Sequence, residues 1–285
     1  MFFPKEVEII EVGLRDGLQN EEKLVSTEEK KQLIKLLQSA GLRRYESTSF
    51  VHPKLVPQMA DAELVSEYCN ELNLVHITLT PNERAIERAI AAKVPQIALF
   101  IATSETFNVN NIRMTIDEAI EVSKKVIRRA KENQLFIRGY VSMAFSCPFE
   151  GAISYEQVKR IVEHYVAYEV DEIVLGDTSG RANPKVVYDR FSRLMKEYPS
   201  TVFAAHFHDT YDFALANIIA AMQANVVKFD SSIAGLGGCP FSPGSTGNVA
   251  TEKVVHFLHE MGIETAIDLD QLQKCSAYAK AIIGN

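Results

Sequence analysis

Two histidines separated by a single residue, His206 and His208, are the first side chains in the sequence that could share a chemical task. On a β-strand, side chains two positions apart project to the same face, so both imidazoles can bind one metal ion. The spacing alone is weak, since two unrelated histidines in a surface turn have the same pattern. Asp16 and Asn248 strengthen the metal interpretation if the fold brings them to the same rim, because imidazole, carboxylate and amide donors together suit Mg²⁺ or Mn²⁺ better than a thiolate zinc site.

A second polar group lies in the segment GLRDG, residues 13–17. Glycines on both sides of Arg15 and Asp16 let the backbone bend toward a ligand. Arg15 would then be a fixed cation for an anionic intermediate and Asp16 a metal ligand, although a structural ion pair has the same composition. Glu46 either orients Arg15 as its ion-pair partner or is a satisfied structural carboxylate, and the sequence favours neither interpretation.

The segment GLGGCPFSPGSTGN, residues 235–248, contains five glycines, two prolines, one cysteine and no charge. Most free cysteines are small buried hydrophobic residues, which is one interpretation of Cys239. The alternative is a mobile loop that closes over a site and brings in a proton donor. Cys69 and Cys275 lie on predicted helices and are expected to be structural, whereas Cys147 stays undecided.

These residues must be positioned by a regular scaffold, and the chain alternates short apolar, β-branched runs with amphipathic segments. The predicted strands are Val7–Val12, Arg44–Ser49, Leu74–Leu79, Gln96–Ala102, Phe136–Ala144, Glu172–Gly176, Val202–Phe207 and Val226–Ser231. The predicted helices are Ser26–Gly41, Asp61–Leu72, Asn82–Ala92, Thr115–Asn133, Ser154–Tyr168, Asn183–Tyr198, Asp212–Ala224 and Gly247–Met261.

Eight strand–helix units in strict alternation imply a parallel sheet, and eight strands are the number that closes a barrel. We therefore predict an α/β protein with a (β/α)₈ TIM barrel and a short extra C-terminal helix near Asp268–Ile283. No low-complexity linker divides the chain, so residues 1–285 are expected to form a single domain. Active sites of such barrels lie at the carboxyl ends of the strands, which is where the polar residues above fall.

Composition limits the classes of partner. Thirty Lys and Arg against 37 Asp and Glu leave a net charge of −7, which gives no electrostatic attraction for nucleic acid or an anionic membrane. Hydrophobic residues make up 47% of the 285 residues, as in ordinary globular proteins. Four scattered cysteines without a Cys-x-x-Cys pair, and an N-terminus unlike a signal or transit peptide, lead us to expect a reduced, cytoplasmic protein.

Six segments are distinctive: VGLRDGLQNE, ESTSFVHPKLVPQMAD, RGYVSMAFSCPFEG, LGDTSG, HFHDTYDFALAN and SSIAGLGGCPFSPGSTGNVATE. Together they resemble the 3-hydroxy-3-methylglutaryl-CoA lyase family, and the resemblance runs from about Val7 to about Met261. The uncharged loop with Cys239 is the specific part. Related metal-dependent barrels that condense acetyl-CoA with keto acids normally carry a charged Gly-x-Gly-Glu-Arg-type loop at this place.

The resemblance implies roles for individual residues. As metal ligands it implies Asp16, His206, His208 and Asn248. As catalytic residues it implies Arg15, Glu46, Asp177, His206 and Cys239, with Cys239 as the loop thiol. Near the substrate it places Arg15, Gln19, Asn111, Arg138 and Tyr140.

The function implied by the resemblance is a retro-aldol cleavage of 3-hydroxy-3-methylglutaryl-CoA into acetyl-CoA and acetoacetate, as in leucine breakdown and ketone-body formation. A divalent cation, Mg²⁺ or Mn²⁺, is the expected cofactor and a small-molecule acyl-CoA the expected partner. We further expect a homo-oligomer, a dimer or larger, with no nucleic-acid or membrane partner. Two alternatives stay open: a related acyl-CoA aldolase or synthase on the same metal barrel, and a noncatalytic metal-binding barrel.

Overall fold

The sheet is closed, as the alternating sequence pattern predicts. The computed structural model describes residues 3–238 and 247–284. Its strands are, in chain order, β1 (Glu8–Glu11), β2 (Arg44–Ser49), β3 (Val75–Leu79), β4 (Gln96–Ala102), β5 (Phe136–Ser142), β6 (Ser146–Cys147), β7 (Gly151–Ala152), β8 (Glu172–Asp177), β9 (Phe203–Phe207) and β10 (Lys228–Ser231). The barrel order is β1-β10-β9-β8-β5-β4-β3-β2, with parallel pairing throughout, while β6 and β7 form a separate antiparallel hairpin.

The helices surround this barrel. They are α1 (Thr27–Ser39), α2 (Ala62–Glu71), α3 (Glu83–Ala91), α4 (Glu105–Ile112), α5 (Ile116–Glu132), α6 (Tyr155–Ala167), α7 (Pro184–Glu197), α8 (Ala214–Gln223), α9 (Thr251–Glu260) and α10 (Leu269–Ile283). The predicted (β/α)₈ TIM barrel with an additional C-terminal helix is confirmed, and α10 is that helix. Among the described residues, no helix is both long and apolar enough to cross a membrane.

Two elements were not predicted from the sequence. α4 carries little apolar periodicity and buries only Phe107 and Asn108, so its pattern resembles a polar loop. The β6–β7 hairpin pairs only two residues on each side, which is too short for an alternating pattern. Helix α9 also begins later than predicted, at Thr251, because residues 248 and 250 form isolated bridges with His208 and Ser232 instead.

The core has two parts. The larger lies between the strands and the outer helices, and a smaller apolar group fills the barrel interior around Ile10, Ile77 and Val174. Toward the amino ends of the strands, the interior also holds charge, because Glu172 pairs with the guanidinium groups of Arg44 and Arg138. Charges inside a barrel are tolerated only when they are paired, so this network belongs to the scaffold.

Candidate metal centre and catalytic site

Three of the predicted ligands meet at the carboxyl end of the barrel. One ligand atom from each of Asp16, His206 and His208 lies within 4.8 Å of the other two. Asp16 is half-buried and both histidines are buried. The cluster therefore has the donor types and the spacing that a single divalent cation requires.

The local backbone explains how these residues meet. His206 is on β9, and His208 follows directly and pairs with Asn248 in an isolated antiparallel bridge. Asp16 belongs to a π-helical turn, Gly13–Gly17, that follows β1. A Cβ at Gly17 would lie 2.8 Å from the Ser232 hydroxyl oxygen, so glycine permits the turn to pack closely against the segment after β10.

Asn248 completes the cluster from the segment that precedes α9. Its Nδ2 donates to Asp16 Oδ2 at 2.7 Å and to the Leu236 carbonyl oxygen at 3.1 Å. These two bonds fix the amide so that Oδ1 is the remaining acceptor, and Oδ1 is buried with no hydrogen-bond partner among the described residues. A buried carbonyl-type oxygen without a donor is costly, and a cation beside Asp16 would satisfy it.

Arg15 is held by two carboxylates at once. Its Nη1 donates to Asp16 Oδ1 at 2.7 Å and its Nη2 donates to Glu46 Oε2 at 2.6 Å. The structure thus contains the Arg15–Glu46 ion pair that was one of the two interpretations of Glu46. Arg15 is 7% exposed, and its Nε and Glu46 Oε1 are buried without a hydrogen-bond partner in the described part of the chain.

The electrostatics favour the ligand forms of the cluster. Burial by itself would raise the pKa of Asp16, but the nearby Arg15 and the two histidines outweigh it and hold that pKa at about 2. Burial lowers the pKa of His208 to about 4, with the positive charge of His206 acting in the same direction. Asp16 is therefore anionic and His208 neutral at pH 7, the states in which a carboxylate and an imidazole bind cations.

Asp230 is a site residue that sequence reasoning missed. Its Oδ2 lies 3.1 Å from His206 Nδ1, while His206 Nε2 faces Asp16 Oδ2 at 3.9 Å. A carboxylate on one ring nitrogen fixes the orientation of the other toward a metal. Asp230 stands beside His206 in the register of β9 and β10, so an alignment of the two predicted strands could have revealed it.

The structure places Arg138 in the barrel interior, and substrate contact by this residue stays a prediction. The side chain is fully buried inside the barrel, and each of its three nitrogens already donates to a protein oxygen. The partners are Glu172, Tyr140 and Asp230. Arg138 therefore supports Asp230, the carboxylate that contacts His206.

The remaining predicted substrate residues differ in position. Gln19 Nε2 donates to Asp16 Oδ1 at 2.9 Å, so Gln19 borders the cluster and is half-buried. Tyr140 is 6% exposed, and its hydroxyl donates to Asp230 Oδ2 at 2.9 Å. Asn111 lies half-buried on α4, and no described contact connects it to the cluster. Substrate contact by these three residues stays a prediction.

Two predicted catalytic residues are not joined to the cluster by a described hydrogen bond. Asp177 ends β8, and its carboxylate accepts hydrogen bonds from the backbone N–H groups of Arg181 and Ala182 at 3.1 and 2.9 Å. Burial raises the pKa of Asp177 to about 6. Cys239 lies outside the described residues, so its role as a loop thiol stays a prediction from the sequence.

Comparison with known proteins is consistent with this geometry. The chain matches the HMGL-like family over residues 6–278. It is 43% identical to the mitochondrial hydroxymethylglutaryl-CoA lyase of Bos taurus over 277 residues, covering 97% of this chain and 85% of the relative. The crystal structure of the Bacillus subtilis HMG-CoA lyase superposes with a TM-score of 0.95 at 40% identity, covering 100% of this chain and 96% of that one. An Acinetobacter baumannii HMG-CoA lyase in complex with coenzyme A and 3-methylmalate superposes with a TM-score of 0.94 at 36% identity, covering 100% and 93% of the two chains.

Proposed function

The chain belongs to the HMGL-like family, and from this premise we propose that its barrel cleaves 3-hydroxy-3-methylglutaryl-CoA into acetyl-CoA and acetoacetate. Full-length similarity to hydroxymethylglutaryl-CoA lyases supports the reaction, and the relative that holds coenzyme A together with 3-methylmalate supports an acyl-CoA partner. The observation that carries the proposal is the direct contact between the Arg15 guanidinium and Asp16 of the metal-type cluster. A fixed cation beside a cation site is what an anionic thioester intermediate requires.

The proposed metal ligands are Asp16, His206, His208 and Asn248, and the bound ion is Mg²⁺ or Mn²⁺. When bound, a divalent cation would supply Lewis-acid polarisation of substrate oxygens. The unpartnered Asn248 Oδ1 and the anionic Asp16 support this assignment, since hard cations select oxygen ligands. Asp230 holds the His206 ring so that Nε2 remains directed at the cluster.

The reaction breaks the carbon–carbon bond between the carbon next to the thioester and the carbon that bears the hydroxyl. The hydroxyl gives its proton to a basic group of the site and becomes the ketone of acetoacetate, while the bond electrons move onto the thioester as an enolate. That proton balances the one that the enolate later takes up at carbon. Arg15 stabilises the negative charge that develops on the thioester oxygen, a role worth roughly 3–4 kcal/mol in comparable sites. Glu46 holds the guanidinium in place from the opposite side.

The enolate must finally take a proton at carbon to give acetyl-CoA. Cys239 is the proposed donor by family resemblance, and a histidine of the cluster is the second candidate. His206 carries a raised pKa, because the hydrogen bond and the negative charge of Asp230 together outweigh the opposing effect of burial.

Product analysis tests the proposal. Purified protein is incubated with Mg²⁺ or Mn²⁺ and a panel of 3-hydroxyacyl-CoA thioesters, and acetyl-CoA and the released ketone are quantified. We expect acetyl-CoA and acetoacetate from 3-hydroxy-3-methylglutaryl-CoA and loss of activity with a chelator. Net condensation of acetyl-CoA with a keto acid would instead identify a synthase, and a metal-binding protein without turnover would identify a noncatalytic barrel.

The ligand assignment is tested separately by calorimetry with Mn²⁺. His206→Ala and Asp16→Ala each remove one ligand and are expected to weaken Mn²⁺ binding strongly. His76→Ala is a matched control, because His76 is a buried histidine on β3 that bonds Ser47 and Asn70 away from the cluster. Unchanged Mn²⁺ affinity in both ligand variants would refute the assignment.

A further inference from the structure

Glu11 is a buried carboxylate that the proposed mechanism does not use. It is the last residue of β1, is fully buried, and lies below the turn that carries Arg15 and Asp16. Within the described residues, no lysine, arginine or histidine forms an ion pair with it. A buried carboxylate without a cation is unfavourable unless hydrogen bonds compensate for its lost hydration.

The hydrogen bonds of Glu11 come from three different segments. Its Oε1 accepts from the backbone N–H of Gly13 at 2.7 Å and from that of Ile233 at 2.9 Å. Its Oε2 accepts from the hydroxyl of Thr251 at 2.7 Å. One side chain therefore joins the start of the Arg15–Asp16 turn, the segment after β10, and the first residue of α9.

The fit around Glu11 is tight. A Cβ at Gly13 would lie 2.5 Å from Glu11 Oε1, so any larger residue here would have to displace the carboxylate or the turn. Thr251 follows Asn248 by three residues, and Ile233 precedes Leu236, whose carbonyl oxygen accepts from Asn248. The three groups bound by Glu11 thus lie on the backbone segments that set the positions of Asp16 and Asn248.

We propose that Glu11 is a positioning residue that holds these three segments together and so fixes the distance between Asp16 and Asn248. The proposal rests on the metal-binding role given above to Asp16 and Asn248. It assigns Glu11 no contact with substrate and no proton transfer. For this positioning role the side chain at position 11 needs one oxygen that accepts from two backbone N–H groups and a second polar atom that bonds Thr251.

Burial raises the pKa of Glu11 to about 7, so a protonated carboxyl and a carboxylate are both accessible near neutrality. The amide of glutamine has the shape of the protonated carboxyl: one oxygen accepts and the other polar atom donates. Thr251 can accept such a bond, since Ser231 Oγ, 2.8 Å from its hydroxyl, offers it another partner. Glu11→Gln should therefore preserve the arrangement and Glu11→Ala should destroy it.

The test combines hydrogen exchange with Mn²⁺ titration of the full chain. In Glu11→Ala, the amides of Gly13 and Ile233 are expected to exchange at least roughly tenfold faster, and Mn²⁺ affinity to fall by roughly tenfold or more. Glu11→Gln should restore both values to near those of the wild type. Asn70→Ala is the matched control: Asn70 bonds His76 and the Ala92 carbonyl oxygen at the opposite end of the barrel, so only global stability should fall.

Several outcomes would overturn the proposal. Glu11→Ala with wild-type Mn²⁺ affinity and the same exchange rates as Asn70→Ala would make Glu11 a stability residue only. Glu11→Gln as impaired as Glu11→Ala would show that charge, and not hydrogen-bond geometry, is what the site needs.

If Glu11→Ala does not fold, Thr251→Val removes one of the three bonds at nearly constant volume and should shift both the exchange rates and the Mn²⁺ affinity in the same direction. A wild-type protein that binds no Mn²⁺ would refute the proposed function, while the exchange rates would still decide the role of Glu11.

Discussion

Two fully buried glutamates at opposite ends of the barrel have opposite surroundings. Glu172, at the amino end of β8, is bonded by Arg44, Arg138 and Lys228, and these cations overcome the effect of burial and lower its pKa to about 2. Glu11, at the carboxyl end of β1, has only neutral donors, and burial raises its pKa to about 7. The residue type and the burial are the same, so the difference lies in the surrounding groups: three cations beside Glu172, and neutral donors with the nearby Glu252 carboxylate beside Glu11.

The contrast extends to the two ends of the barrel as a whole. At the amino end, opposite charges are matched and both oxygens of Glu172 are used, and of the atoms in this network only Arg44 Nη2 is buried without a partner in the described part of the chain. At the carboxyl end, Arg15 Nε, Glu46 Oε1, Ser232 Oγ and Asn248 Oδ1 are buried and lack partners among the described residues. Unsatisfied buried polar atoms are costly, and a functional site is where such a cost persists, because a ligand supplies the missing partners.

The largest difference between the two ends of the barrel is expected when an arginine at each end is replaced by lysine and kcat is measured. Arg15→Lys keeps the charge but loses the planar fork that bridges Asp16 and Glu46, so kcat should fall by roughly 10²–10³-fold. Arg44→Lys is the matched control, since Arg44 bridges Glu172 and Gln96 at the amino end. It should lower the melting temperature with little change in kcat, and steady-state kinetics with thermal denaturation of both variants measures the difference. A near wild-type kcat for Arg15→Lys would make Arg15 structural.

Asp230 connects the two ends, because it contacts His206 above and Arg138 below. Asp230→Asn retains the shape but can present an N–H to His206 Nδ1, which favours the wrong ring orientation or tautomer. We expect Mn²⁺ affinity to fall by roughly 10–100-fold, measured by calorimetry. An unchanged affinity would mean that the ring is held by packing alone, for example by the edge-on contact with Tyr140.

Tyr140→Phe tests whether the Tyr140 hydroxyl only holds Arg138 and Asp230 in place or also contacts the substrate. Its hydroxyl accepts from Arg138 and donates to Asp230, so removal should cost about 1 kcal/mol of folding free energy. If the residue is only a support, KM for the acyl-CoA should stay constant while the unfolding midpoint in urea decreases. A raised KM with unchanged stability would instead place the hydroxyl against the substrate, as the sequence resemblance implies.

These comparisons show which features a sequence can reveal. Strand ends in an eight-fold alternation identify the rim, and so His206, His208, Asp16 and Asn248 were predicted together and lie together. Asp230 was missed because its partner is on another strand, and only the register between β9 and β10 shows the contact. The height of a residue within the barrel is likewise invisible to periodicity.

Arg138 illustrates that second limit. It alternates with Tyr140 on β5, and both point into the barrel, but periodicity does not show that the Arg138 guanidinium joins an ion network in the interior. The structure places Arg138 among Glu172 and Asp230. Helix α4 was missed for a different reason, since a helix with few buried residues has no periodic signal.

The smallest predicted effect is on the pH dependence of the free energy of unfolding. For Glu11 this dependence has the opposite sign to that of a buried, ion-paired acid. In the unfolded chain Glu11 loses its proton near pH 4.5, but in the folded chain only near pH 7, so the folded state binds more protons between these values. Stability contributed by this residue therefore falls as pH rises through that window, whereas Glu172, with its lowered pKa, loses stability only as pH falls below 4.5. Glu11→Gln removes this contribution to the pH dependence. The free energy of unfolding of the variant, relative to that of the wild type, should therefore increase from pH 5 to pH 8 in urea titrations. A constant difference across that range would mean that Glu11 is ionised in the folded protein throughout.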